Sequence, residues 1–161
     1  MAGEESTILI LLPVDASPES LDAVRHAVHL RQAGLPLQAV LANVQEAPHL
    51  YEVVLTRDPD VLDQASERAG RHALQPAQAL LDQAGIPATQ VIGHGDPGRV
   101  LVEIAEQEGC EGIILSAGRP GVLDGGRLGS VAQAVVHHAR IPVTLVHLLE
   151  PEDAEAVGEG P

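Results

Sequence analysis

The chain is poor in the residues from which many binding surfaces are built. Of its 161 residues none is Phe or Trp, and Tyr51 is the single aromatic. A core must therefore be assembled from Leu, Val, Ile and Ala, which suits aliphatic helix-on-sheet layers. The same lack removes the aromatic platforms on which unpaired bases stack. Lysine is missing altogether, and 9 arginines face 23 Asp plus Glu for a formal net charge of −14. Nucleic-acid binding is driven by phosphate neutralisation, so this balance speaks against nucleic acid and against anionic membrane surfaces as partners. One cysteine, Cys110, supplies neither an intramolecular disulfide nor a zinc pattern. It reads as a small apolar packing residue just before a strand. No apolar run approaches the ~20 residues of a membrane span. Met1-Ala2-Gly3-Glu4-Glu5 has no basic stretch of the kind that opens a secretory signal. The expected setting is the cytoplasm.

What is present is an alternation of short apolar runs and amphipathic segments. Residues 8–14 (ILILLPV) form a continuous apolar run, as expected of a strand buried on both faces of a parallel sheet, with Asp15 at its tip. Ser17-Pro18 reads as an N-cap followed by proline in the first helical position. Leu21, Val24 and Val28 then recur at helical spacing, and Gly34 stops the helix. A second strand is expected over residues 35–44. A long helix beginning near Asp60 carries Leu62, Ala65, Ala69, Ala73, Leu80 and Leu81 as its apolar stripe, with Pro76 as a potential kink and Gly85 as its end. Residues 88–92 form a third strand. Asp96-Pro97 caps a helix whose face is Val100, Leu101, Ile104 and Ala105, and residues 112–115 form a fourth strand. A glycine-dense loop leads to a last helix opened by Gly129-Ser130, where Ser130 and Gln133 have capping-box spacing. Residues 141–148 (IPVTLVHL) are the fifth strand. Strict alternation of strand and helix predicts a doubly wound α/β domain with a parallel sheet, a Rossmann-like three-layer sandwich. The expected divisions are a short acidic segment over 1–6, one domain over 7–149 and a disordered acidic tail over 150–161 carrying Glu150, Glu152, Asp153, Glu155 and Glu159.

Four features in order resemble the universal stress protein family. They are Pro13-Val14-Asp15 with Ser17; Leu41-Ala42-Asn43-Val44, similar to the family's Leu-His-Val strand end with Asn43 in the His place; Gly95-Asp96-Pro97 ahead of Ile113-Ile114-Leu115; and Leu128-Gly129-Ser130-Val131 with Pro142-Val143 beyond. The resemblance implies a five-stranded parallel sheet in the order 3-2-1-4-5 and a homodimer that pairs the last strands, residues 141–148. Some members bind ATP, with magnesium, through Gly-x2-Gly-x9-Gly followed by Ser or Thr. Carried onto this chain, Val14, Asp15 and Val44 match the adenine and ribose end. Leu115, Ser116 and Arg119 match the loop entrance, and Gly129, Ser130 and Val131 match the phosphate-binding helix start, where N–H groups and the dipole suit an anion. The chain departs from the motif in one respect: Ser116 and Arg119 stand where the first two glycines belong, while Gly118 and Gly121 keep the x2 spacing two residues late.

Catalysis finds no motif. There is no Walker lysine, no Gly-x-Ser-x-Gly elbow and no nucleophile with a paired base, so slow nucleotide hydrolysis is the most that binding would bring. His26, His29, His137 and His138 lack spacing that would gather them on a metal. Two functions fit: a stress-response protein that holds ATP or a related adenine nucleotide at the C-terminal edge of the sheet, or a dimeric stress or interaction protein of the same family whose altered loop no longer binds it.

Overall fold

A computed structural model describes residues 6–46, 58–118 and 129–147. The elements run β1 (Ile8–Pro13), a 3-10 turn (Pro18–Ser20), α1 (Leu21–Gln32), β2 (Leu37–Gln45), α2 (Pro59–Gln83), β3 (Ala88–His94), α3 (Pro97–Glu108), β4 (Gly112–Ser116), α4 (Ser130–His138) and β5 (Val143–Val146). All strand pairs are parallel and the sheet order is β3-β2-β1-β4-β5.

Every inner strand is apolar on both faces, and alternation assigns each side chain to one layer. Ile10, Leu12, Val14, Leu41 and Ile114 pack with α1 and α2. Leu11, Val40, Ala42, Ile113 and Leu115 pack with α3 and α4. Cys110 is buried in the second layer, and that burial, with Glu108 adding to it, pushes its thiol up to about 11.

Strand and helix order match the expectation, while several local readings change. Strand β3 runs two residues past Ile92, because its ladder with β2 continues to Gln45↔His94. Strand β5 spans only Val143–Val146 of the expected 141–148; Leu148 lies outside the described residues, as do the acidic tail and 1–5. The stripe of α2 is Gly70, Leu74, Ala77 and Leu81, whereas Ala65 and Ala69 are exposed; alanine is nearly indifferent to which side it occupies, so it misled the reading. Helix α2 passes through Pro76 on its exposed side, where water can satisfy the carbonyl that loses a donor. Helices α1 and α2 end alike. Gly34 and Gly85 take φ of +106° and +68°, and the next residues, Leu35 and Ile86, donate back to Leu30 and Leu81.

Candidate functional site

Strands β1 and β4 lie side by side (Ile10↔Gly112, Leu11↔Ile113), yet β1 leads to α1 on one face and β4 leads toward α4 on the other. Their C-terminal ends therefore part and leave a crevice, the usual ligand position in an open α/β sheet. A cleft of about 350 Å³ occupies it, within the range of about 300–1,000 Å³ typical of small-molecule sites.

Six of the expected site residues line this cleft: Val14, Asp15, Val44, Leu115, Ser116 and Val131. Val14 and Leu115 are buried, and Val131 is 37% exposed. Gly129 and Ser130 are not among the lining residues but form the start of α4 immediately before Val131. Arg119 lies outside the described residues, as do Gly121 and the rest of the loop through Leu128.

The tip of β1 is held from two directions. Val14 donates its N–H to the Ala42 carbonyl at 2.8 Å and accepts at 2.9 Å from the Asn43 side-chain amide. Asn43 is 4% exposed, and its Oδ1 accepts from the Gln45 amide at 2.6 Å, so this buried polar group is satisfied. Asp15 Oδ1 accepts from the Ser17 N–H at 2.7 Å and from the Ser17 hydroxyl, closing an Asx turn.

Ser17 stands at the N-cap position with Pro18 first in the turn, as expected, but the turn is 3-10 and precedes α1, and the Ser17 hydroxyl bonds back to Asp15 and makes no cap bond. A second cap is corrected. Gly129, not Ser130, is the N-cap of α4, and no side-chain cap bond forms there, so the Ser130–Gln133 capping box is not made. Ser130 is already helical, one position too late for its hydroxyl to close the box. Asp96 does cap α3, accepting from the Arg99 N–H at 3.2 Å.

Three features of the cleft escaped the sequence reading. Glu19 and Glu46 line it beside Asp15, and Ala132 lines it beside Val131. Glu46 had a signal, since it stands two residues after Val44, the spacing that returns a strand's side chains to the same face. Glu19 has none, because the Ser17-Pro18 pattern predicts a regular helix where a 3-10 turn forms. Among the described residues no group of three or more His, Cys, Asp or Glu side chains could hold a metal ion, and no helix is long and apolar enough to cross a membrane.

A doubly wound parallel sheet with a ligand-sized cleft at its switch point defines the class of protein. Residues 9–147 match the model of the universal stress protein family, and the chain belongs to that family. Universal stress protein MJ0531 of Methanocaldococcus jannaschii is 25% identical over 89% of this chain and 84% of its own length. Universal stress protein Rv2623 of Mycobacterium tuberculosis is 30% identical over 91% of this chain, which spans 50% of that relative. Among solved structures, hypothetical protein MJ0577 superposes with a TM-score of 0.73 at 24% identity, covering 89% of this chain and 97% of that one. A universal stress protein in complex with cAMP gives 0.61 at 20% identity, over 87% and 96%. A family protein of Arabidopsis thaliana with AMP bound gives 0.64 at 18% identity, over 90% and 94%.

Proposed function

We propose that this universal stress protein binds an adenine nucleotide in the cleft between the ends of β1 and β4, and acts by binding rather than by catalysis. The observation that carries the reading is the convergence of Val14, Asp15, Val44, Leu115, Ser116 and Val131 on one cleft, with the N-terminus of α4 beside it. Apolar Val14, Val44 and Leu115 suit the faces of a purine, Asp15 suits a ribose hydroxyl, and the start of α4 suits a phosphate. The cAMP and AMP complexes of similar fold support the ligand class.

Calorimetric titration with adenine nucleotides, with and without magnesium, tests the reading. Gly129→Leu should abolish binding while the circular dichroism spectrum stays unchanged. A Cβ at Gly129 would meet nothing nearer than the Ala117 carbonyl oxygen at 3.8 Å, and its backbone φ of −56° suits any residue. Unchanged affinity in that variant refutes the site.

A second reading, a dimeric interaction protein without nucleotide, is favoured by Ser116 at a glycine position and by the carboxylates of Asp15, Glu19 and Glu46 around the cleft. Both readings share a homodimer through β5, which pairs β4 on one side and is the last strand of the sheet among the described residues. Val143→Glu should shift the protein from dimer to monomer in sedimentation velocity; a wild-type monomer refutes the interface.

A further inference from the structure

We infer that Gly70, which lies in α2 and outside the cleft, is a positioning residue for nucleotide binding. It lets α2 seat on Asn43, whose amide holds the Val14 carbonyl at the cleft wall. The inference rests on the nucleotide-binding reading and adds to it a residue that acts on the ligand only through others.

Gly70 stands in the middle of a 25-residue helix, where glycine is a poor helix former. Its place against the sheet gives the reason. Gly70 is buried, and a Cβ there would lie 2.8 Å and 2.9 Å from Cγ2 and Cδ1 of Ile92 and 3.1 Å from Asn43 Oδ1. Asn43 and Ile92 are register partners on β2 and β3, so their side chains stand together on one face of the sheet. The next pair on that face is Gln45 and His94. Ser66, one helical turn before Gly70, meets it: Ser66 Oγ lies 3.2 Å from His94 Nε2. Four residues of helix rise about 6 Å and two residues of strand about 6.6 Å, so the two contacts come in step. Helix α2 therefore lies down along the ends of β2 and β3, and the bare backbone at position 70 permits that approach.

Asn43 carries the effect to the cleft. Its Nδ2 donates to the Val14 carbonyl at 2.9 Å, and its Oδ1 accepts from the Gln45 amide at 2.6 Å. That Oδ1 is the polar atom a side chain at position 70 would press against. Displacing it turns the amide plane and draws Nδ2 off the Val14 carbonyl. Val14 and Asn43 both line the cleft and Asp15 follows Val14, whereas α2 contributes none of the described lining residues. A change at Gly70 reaches the ligand through Asn43 and Val14.

The test is calorimetric titration with AMP on variants of the full chain, with urea denaturation alongside. Gly70→Ala should weaken AMP binding about fivefold, the weight of one ordinary hydrogen bond. Should that variant not fold, Gly70→Ala combined with Ile92→Ala replaces it, because truncating Ile92 removes the two nearest atoms and leaves the Asn43 contact. The pair should bind AMP about fivefold more weakly than Ile92→Ala alone. In an Asn43→Ala background, Gly70→Ala should weaken binding no further. Ala77→Gly, also buried and about two turns further along α2, should lower the denaturation midpoint and leave AMP affinity unchanged. In the free protein, the carbonyl carbon resonance of Val14 should move in the Gly70 variant and stay in place in Ala77→Gly. Full AMP affinity in the Gly70 variants overturns the inference and leaves the nucleotide-binding reading standing. An equal loss with and without Asn43, an equal loss in Ala77→Gly, or an unmoved Val14 resonance overturns it as well. Silence of the wild type to AMP overturns that reading and the inference with it.

Discussion

Asn43 ties two strands at the point where the cleft begins. Asn43 itself is buried; its amide donates to the Val14 carbonyl and its oxygen accepts from the half-buried Gln45. Asn43→Leu keeps the branched shape but leaves the Val14 carbonyl without that donor, which should cost about 1–3 kcal/mol of stability in urea titration. It should also weaken nucleotide binding, because Asp15 follows Val14 directly. An unchanged denaturation midpoint would contradict the bridging role. Cys110 gives a second prediction at this scale. Its thiol is raised from 9.0 to about 11 by burial, so the unfolded chain releases this proton at lower pH than the folded chain. Stability should therefore fall as pH rises through that interval, with no contribution below it. Cys110→Ala should remove this part of the alkaline slope, measured by denaturation between pH ~8 and ~10.5. An identical slope in the variant would contradict it.

At the scale of elements, the cleft's width depends on how closely α3 approaches α4. A Cβ on Gly98 would lie 2.3 Å from the Ala134 Cβ, a distance that no pair of side chains tolerates. Pro97 and Leu101 of α3 line the cleft, as do Val131 and Ala132 of α4, so prising these helices apart moves both walls. Gly98→Ala should destabilise by about 1–3 kcal/mol through overpacking. Ala134→Gly should recover part of that loss in the double variant, a coupling that thermal denaturation of all four proteins reads directly. Additive effects would mean that the two residues do not meet. This close approach was not legible in the sequence, where Gly98 follows Pro97 as an ordinary helix-start residue. The caps show why some ends were legible and others not. Asp96 has one helix to serve and caps it. Ser17 has a carboxylate two residues before it, and its hydroxyl goes there instead. At α4 the helix starts one residue early, after a glycine, and the Ser130–Gln133 spacing loses its meaning.

At the scale of the molecule, strand order and layering follow from patterns that a single chain displays. The run at 8–14 has to be a central strand because it is apolar on both faces, and β1 lies between β2 and β4. The resemblance supplied the order 3-2-1-4-5, and the parallel pairing agrees with it. Six of the nine expected site residues line one cleft, because strand ends and helix starts meet there by topology. What stayed hidden was the electrostatic character of that cleft. Glu46 lies about thirty residues from Asp15 and Glu19 and joins them only because the end of β2 and the turn after β1 reach the same edge of the sheet. An overall excess of acid reads as solvated surface until the fold shows which carboxylates share a site.

The central claim is that the crevice between β1 and β4 holds the nucleotide. The most direct measurement is a two-dimensional NMR titration of the labelled protein with AMP. Saturable shifts should centre on the backbone amides of Val14, Asp15, Val44, Ser116, Ser130 and Val131, with the β5 edge and the exposed start of α2 unmoved. Shifts that gather elsewhere, or a spectrum unchanged at saturating AMP, would contradict it.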